Sequence, residues 1–220
     1  MAPEIATGLP LPVANLFHLF GDDLQDRNLA GPSNPQNLTD LKPAVAFAKA
    51  ASAPSGFILP GMINSGQSRS HALSTSAEVL MPMVEAGQAA GFWVLIEPHT
   101  GSILNSPDTT RDLVALVTAL KIVLDHSHFV AMGYRQAEID PLADIVGHVR
   151  LRQARPGLIQ TKMEEGIIDF PGFLGALRDS GYDGWLISEY EHEAGTPSQY
   201  DDVLSETVKM RNCVRDWMGG

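Results

Sequence analysis

The sequence predicts a parallel α/β fold, and two observations carry the prediction. Short apolar runs alternate with longer amphipathic ones along most of the chain, and four of the short runs in its second half hold a metal-ligand type of residue at or near one end. A repeated strand-helix order is the signature of a parallel sheet covered by helices. The four residues are Glu97 in FWVLIEPH, Asp125 in LKIVLDHSH, His148 in GHVRLRQ and Glu189 in GWLISEY. In a βα-barrel the carboxyl ends of the strands open onto one face, so residues distant in sequence converge there.

The strands are expected at Val13 to Phe20, Gly56 to Pro60, Phe92 to Glu97, Leu120 to Asp125, His148 to Arg152 and Gly184 to Glu189. Most are apolar on both parities, as strands covered on both faces must be. Helices are expected at about Lys42 to Ala51, Ser74 to Ala90, Pro107 to Leu120, Asp140 to Val146, Asp169 to Ser180 and Ser198 to Met218. The last places Tyr200, Leu204, Val208 and Val214 on one stripe, expected to face the core. Gly91, Gly147, Gly181 and Gly184 are expected to mark the returns into strands. Two segments rich in turn residues or lacking apolar period, Gly21 to Leu41 and Ala154 to Gly166, follow strands and read as loops at the open end.

With 220 residues, 44% hydrophobic and 19% charged, the chain can bury a sizeable core and reads as one domain over residues 1–220. There are 26 acidic against 15 basic residues and no basic block, so the formal charge of −11 repels phosphate backbones and argues against a nucleic-acid partner. The single cysteine, Cys213, has no internal disulfide partner, which suits a reducing, cytoplasmic setting. No apolar run reaches the roughly 18 residues of a membrane span, so no membrane partner is expected.

If Glu97 points inward, Leu95 and Trp93 share its side, and the same parity sets Val123 with Asp125. Carboxylates that end apolar strands require a cation, an arginine or shared protons. A mixed carboxylate and imidazole set without thiolate suits Mn²⁺, Mg²⁺ or Co²⁺ better than a structural Zn²⁺. For any one of these residues alone a salt bridge or a cap is the better reading; the set of four reverses that.

The strings IEPHTGS, LDHSHF, GHVRLRQA, GIIDFPGFLGALRDSGYDGW and LISEY resemble consecutive segments of the xylose isomerase-like TIM-barrel superfamily. It includes sugar-phosphate isomerases and epimerases, hydroxypyruvate isomerase and the family 2 apurinic endonucleases. The resemblance runs from about Phe17 onward and implies that Glu97, Asp125 and Glu189 bind a divalent metal, with Glu97 and Glu189 also moving protons; His148, one pleat before the family's ligand position, is the expected fourth ligand unless the site is altered. Asp125 and His128 match its Asp-x-x-His element; His99, His128, Arg150 and Arg152 are expected to orient the substrate.

This chain departs from the pattern in two places. Where members often carry His-x-His, with the second histidine as metal ligand, it reads His148, Val149, Arg150. Arg150 thus stands in the ligand's register, where it could clamp an anionic substrate group, or it or Arg152 could pair with a barrel carboxylate. The second departure is length, since the first two βα units of the barrel are not apparent. The expectation is an N-terminally incomplete barrel of six strands whose open edges are covered by another subunit, giving a homo-oligomer, or by chain upstream of Met1.

The reaction implied by the resemblance is a divalent-metal-dependent isomerisation or epimerisation of a small sugar, sugar phosphate or keto acid through an enediolate. Two alternatives stay open: a lyase, dehydratase or decarboxylase, acting on a sugar acid, and a catalytically defective barrel. A phosphodiesterase is disfavoured by the acidic charge.

Overall fold

The computed structural model describes residues 9–23, 25–192 and 202–219. Its contacts divide into two compact units, one up to Val123 and one from Leu124. The first holds β1 (Leu16–Phe17), α1 (Pro35–Ala50), β2 (Ser55–Ile58), α2 (Arg69–Ala89), β3 (Trp93–Ile96), α3 (Pro107–Leu116) and the start of β4 (Lys121–Asp125). The second holds α4 (His126–Ala131), α5 (Gln136–Ile139), β5 (Val146–Leu151), α6 (Phe170–Asp179), β6 (Leu186–Ser188) and α7 (Val203–Trp217), with 3-10 turns at Asp140–Ile145 and Met163–Glu165. Six strands stand among the described residues, as the sequence predicts.

In the first unit every ladder is parallel and joins strands adjacent in sequence: Leu16 with Gly56, Phe57 with Leu95, and Leu95 with Lys121 mark the three registers. Phe57, Leu95 and Val123 pack together on one face, with Leu59 against them. That is the inward parity the sequence assigns to Leu95 and Val123. Val94, Ile96 and Ile122 are buried on the opposite face, under the helices. Burial on both faces is why these strands read as unbroken apolar runs, and each such side chain contributes about 1.5–3 kcal/mol. Trp93 shares the inward parity but is 42% exposed, with the Lys121 ammonium 5.2 Å from its ring centroid. It opens its strand, where the core ends.

Several boundaries differ from expectation. β1 is two residues long rather than eight, because its described ladder is to β2 alone; the Asn15 amide to Ser55 Oγ, at 2.7 Å, and the His18 N–H to the Phe57 carbonyl, at 3.0 Å, hold its flanks. α1 starts at Pro35, inside the segment expected as loop, because Asn34 caps it by accepting from the Gln36 N–H and proline suits a first turn. α3 stops at Leu116, before β-branched Val117 and Thr118, and the chain turns through Ala119 at φ 65° into β4. The capping box of Ser106 and Thr109 secures its start.

The loop that remains, residues 21–34, is fastened to the loop after β2. The Asn28 side chain accepts from the Met62 N–H at 2.8 Å and from the Ala30 N–H at 3.1 Å, and donates to the Met62 carbonyl at 2.8 Å. Asn28→Ala strands these backbone groups and is expected to lower stability by about 1–3 kcal/mol, read from the urea midpoint. A change below about 0.5 kcal/mol would show that water replaces the amide without loss.

In the second unit β5 and β6 pair in parallel, Val149 with Leu186 and Leu151 with Ser188. α6 buries Phe170, Phe173 and Leu177, and its start is capped by Asp169. α4, which the periodicity does not reveal, turns directly out of β4 under the cap of Asp125. The stripe assigned to the last helix is corrected. Leu204 and Val208 are exposed, whereas Glu206 and Met210 are buried; Tyr200 lies outside the described residues. The Glu206 carboxylate accepts from the Met163 N–H at 2.8 Å and from Lys209 Nζ at 2.7 Å, and these partners allow an acidic residue on the inner face. Of the four glycines expected at strand returns, Gly91 and Gly181 have positive φ, while Gly147 lies within β5 and Gly184 keeps an ordinary φ. Among the described residues no helix is long and apolar enough to cross a membrane.

Candidate active site

Most candidate residues sit at or near the carboxyl end of a strand, because the strand bodies are filled by apolar core; His148 lies within the body of β5. In the first unit, Glu97 follows β3, is buried, and donates its N–H to the Ile58 carbonyl at 3.2 Å. His99 lies two residues on, buried, its Nδ1 2.6 Å from the Thr100 carbonyl. A carbonyl only accepts, so Nδ1 carries the proton and Nε2 the lone pair. Burial holds this imidazole below the usual histidine value, against the opposing pull of that carbonyl.

The second unit gathers Asp125, His128, His148, Arg150, Arg152 and Glu189. His148 and Arg150 alternate along β5, and Arg152, the residue just past its end, continues the alternation on the same face. Glu189 follows β6 and is held in register by its N–H to the Leu151 carbonyl at 2.9 Å. In this register the Arg150 guanidinium forms an ion pair with Glu189 Oε1. The other oxygen, Oε2, is buried without a hydrogen-bond partner.

One residue pair deeper, Arg152 Nη2 lies 2.8 Å from Asp125 Oδ2, both side chains nearly fully buried. Arg152 Nε donates to Ser127 Oγ at 2.9 Å, and the Ser127 N–H donates to Asp125 Oδ1 at 2.8 Å. His128 Nε2 lies 3.4 Å from Arg152 Nη2; since guanidinium only donates, this nitrogen is the acceptor in that contact. Burial alone pushes the Asp125 carboxyl up; Arg152, His128 and Ser127 together outweigh it and hold the group below the usual aspartate range. His148 is pushed down to about 4, by burial first and by Arg150 second, and is neutral at physiological pH.

The sequence reading passed over Ser127 and two glutamines that shape this end of the unit. Gln153 joins Ile168 through both its amide groups, donating to the carbonyl at 2.8 Å and accepting from the N–H at 3.0 Å. Gln160 does the same with Glu191, at 2.7 and 2.8 Å. The segment Ala154 to Gly166 is therefore pinned at both sides of the site. No sequence signal distinguishes such a glutamine from a surface one.

His126, beside the site in sequence, is structural. Its Nε2 is 2.8 Å from Asp140 Oδ1 and its ring packs on Phe173 at 3.9 Å.

Comparison with known proteins now places the chain. The model of the xylose isomerase-like TIM barrel family matches residues 5–210. This protein belongs to that family. Among solved structures, a D-tagatose 3-epimerase-like protein superposes with a TM-score of 0.72 at 19% identity, over 99% of this chain and 80% of that one. The IOLI protein with a bound zinc atom superposes with a TM-score of 0.66 at 16% identity, over 92% of this chain and 75% of that one. The 2-oxo-tetronate isomerase of Cupriavidus necator is 26% identical over 147 residues, 63% of this chain. The chain thus spans a little over half, 55%, of the length of that curated relative.

The zinc atom in the IOLI structure raises the question whether the residues here fit a divalent cation. One feature favours it: Glu189 Oε2 is a buried carboxylate oxygen with no hydrogen-bond partner. The charges oppose it. Asp125 and Glu189, the carboxylates expected to hold the ion, are each paired with an arginine, and Arg150 stands where the family pattern has a histidine ligand. The two carboxylates and the two guanidiniums cancel in charge, and His148, pushed down to about 4, adds none at physiological pH. Among the described residues no three His, Cys, Asp or Glu side chains are grouped to hold a metal. The second unit as arranged does not fit a divalent cation.

Proposed function

We propose that this protein is an isomerase or epimerase of a small sugar, sugar phosphate or keto acid, working by proton transfer beside a carbonyl. The observation that carries the reading is the Glu189–Arg150 pair on adjacent strands, a carboxylate with one oxygen lacking a hydrogen bond beside a guanidinium. Such a carboxylate can remove a proton from the carbon next to a carbonyl. The electron pair left behind moves onto the carbonyl oxygen as an enediolate, and an adjacent guanidinium stabilises that negative charge. Protonation of the neighbouring carbon completes an isomerisation; protonation of the same carbon from the other face completes an epimerisation.

Glu97 is proposed as the second proton-moving carboxylate, on its burial at the carboxyl end of β3 and the family pattern. His99, with Nε2 as an acceptor, and His128, through its other ring nitrogen, are proposed to orient substrate hydroxyls, and Arg152 to hold Asp125 and His128 in place. The Mn²⁺, Mg²⁺ or Co²⁺ expected on Glu97, Asp125, His148 and Glu189 enters no step here, because Arg150 and Arg152 already neutralise two of those ligands. The name of the 2-oxo-tetronate isomerase supports starting the substrate search with small keto acids.

The test is a proton-exchange screen. The full chain is incubated in D₂O with 2-oxo-tetronates, ketotetroses and ketopentoses, with and without added Mn²⁺, and followed by NMR. Deuterium is expected at one carbon beside the carbonyl, with a shifted carbonyl or an inverted centre in the product. Loss of water or CO₂ would move the assignment to a lyase. No exchange on any member of the panel, with or without Mn²⁺, would sink the proposal.

A further inference from the structure

We propose that Arg150 has taken the place of the divalent cation, so that this site binds no metal and its positive charge toward a substrate oxyanion is a guanidinium. The substrate half of this inference rests on the function proposed above; the metal half does not. Three observations lead to it.

The first is register. His148 and Arg150 on β5, and Arg152 just past its end, occupy alternate positions on one face, so the side chain in the ligand position is itself a cation. The second is pairing. Glu189 is bound to Arg150, and Asp125 to Arg152, so the carboxylates that would draw an ion from water are already neutralised. An added dication would have to displace the guanidiniums or remain beside them at van der Waals range, in surroundings where like charges repel strongly.

The third observation is the difference between the two arginines. Arg152 is only 8% exposed and is braced by Ser127, Asp125 and His128. Arg150 is 21% exposed and its ion-pair partner, Glu189, is the acid proposed to act on substrate. Arg152 is therefore the positioning residue and Arg150 the one that meets the ligand. When a substrate oxygen acquires negative charge, Arg150 can turn its planar fork from Glu189 to that oxygen while Glu189 carries the proton. Charge is conserved in the exchange: the carboxylate becomes neutral as the oxyanion forms, and the guanidinium keeps one anionic neighbour throughout. Without Arg150 or a metal, both Glu189 and the enediolate would lack a counter-charge.

The test reads metal directly. Full-length wild-type protein, Arg150→His and Arg150→Gln are dialysed against Mn²⁺, Co²⁺ or Zn²⁺, desalted and assayed by elemental analysis, with melting temperature recorded with metal and with EDTA. Wild type is expected to retain no stoichiometric metal and to melt at the same temperature in both. Arg150→His, which restores the family ligand, is expected to retain stoichiometric metal and to melt higher with it. The neutral Arg150→Gln reports on the charge alone should the histidine variant fail to fold, and is expected to gain metal affinity over wild type.

Stoichiometric metal in wild type, lost in Glu189→Gln, would overturn the proposal. So would failure of both folded variants to gain any affinity, since Arg150 would then not be what excludes the ion. These readouts use no substrate, so a failed exchange screen leaves them standing. Conversely, exchange activity that EDTA abolishes in wild type would overturn the metal-free site while leaving the isomerase reading intact.

Discussion

Glu189→Gln is expected to slow the C–H exchange of the accepted substrate by about 10²–10⁴-fold, the usual contribution of a positioned acid or base. Glutamine keeps the shape of glutamate and an oxygen that can accept from Arg150, so the β5–β6 arrangement and the hydrogen bond from the residue 189 N–H to the Leu151 carbonyl persist. What it removes is the basic oxygen and the charge. The loss is expected in kcat more than in KM, because a proton acceptor acts in the transition state while substrate binding depends on its neighbours. Loss confined to KM would show that Glu189 only holds the substrate. Undiminished exchange would move the chemistry elsewhere. Melting the variant alongside wild type separates chemistry from folding, and a modest decrease is expected because Arg150, at 21% exposure, can reach water for its charge.

Arg152→Met is expected to be the most destabilising single change at the site, by about 3–5 kcal/mol, since it leaves the nearly inaccessible Asp125 carboxylate without its cation. For a chain of this size that corresponds to a fall in Tm on the order of 10 °C. Methionine fills similar volume, so the loss reports charge and hydrogen bonding rather than a cavity. Arg152→Lys is expected to recover only part, because one ammonium cannot reproduce the guanidinium geometry that reaches Ser127 and Asp125 together.

The double variant Arg152→Met/Asp125→Asn is expected to be more stable than Arg152→Met, as removal of the stranded charge would require. The pH dependence follows from the lowered Asp125 value. A depressed folded pKa contributes stability that is complete above the unfolded value, 3.8, and is lost as pH falls through the folded one. The deficit of Arg152→Met is therefore expected to be full at neutral pH and to shrink in acid, where a protonated Asp125 needs no cation. A loss below about 1 kcal/mol at neutral pH, or one independent of pH, would mean that the pair is not the support the geometry indicates.

The strands and the polar residues at their ends were legible in the sequence because their signals are local. Glu97 and Asp125 close apolar runs, and parity alone puts Leu95 with Val123, which pack together in the structure. A strand's side chains must alternate whatever the rest of the chain does. The substitution of Arg150 for the family's histidine was also visible at this level, as was the option of an arginine paired with a barrel carboxylate.

Which partner each side chain takes was decided by tertiary structure. Arg150, opposite Ile187, meets Glu189 diagonally across the β5–β6 pair, and Arg152, one pleat further and just past β5, meets Asp125. Neither register is encoded in a local period. The same holds for α7, where periodicity favours Leu204 and Val208 as the inner face but Glu206 is buried instead, drawn in by the Met163 N–H and Lys209. A pattern of apolar residues specifies conformation along the chain. Desolvated charges and backbone donors are satisfied by groups distant in sequence, and only the folded arrangement determines which ones.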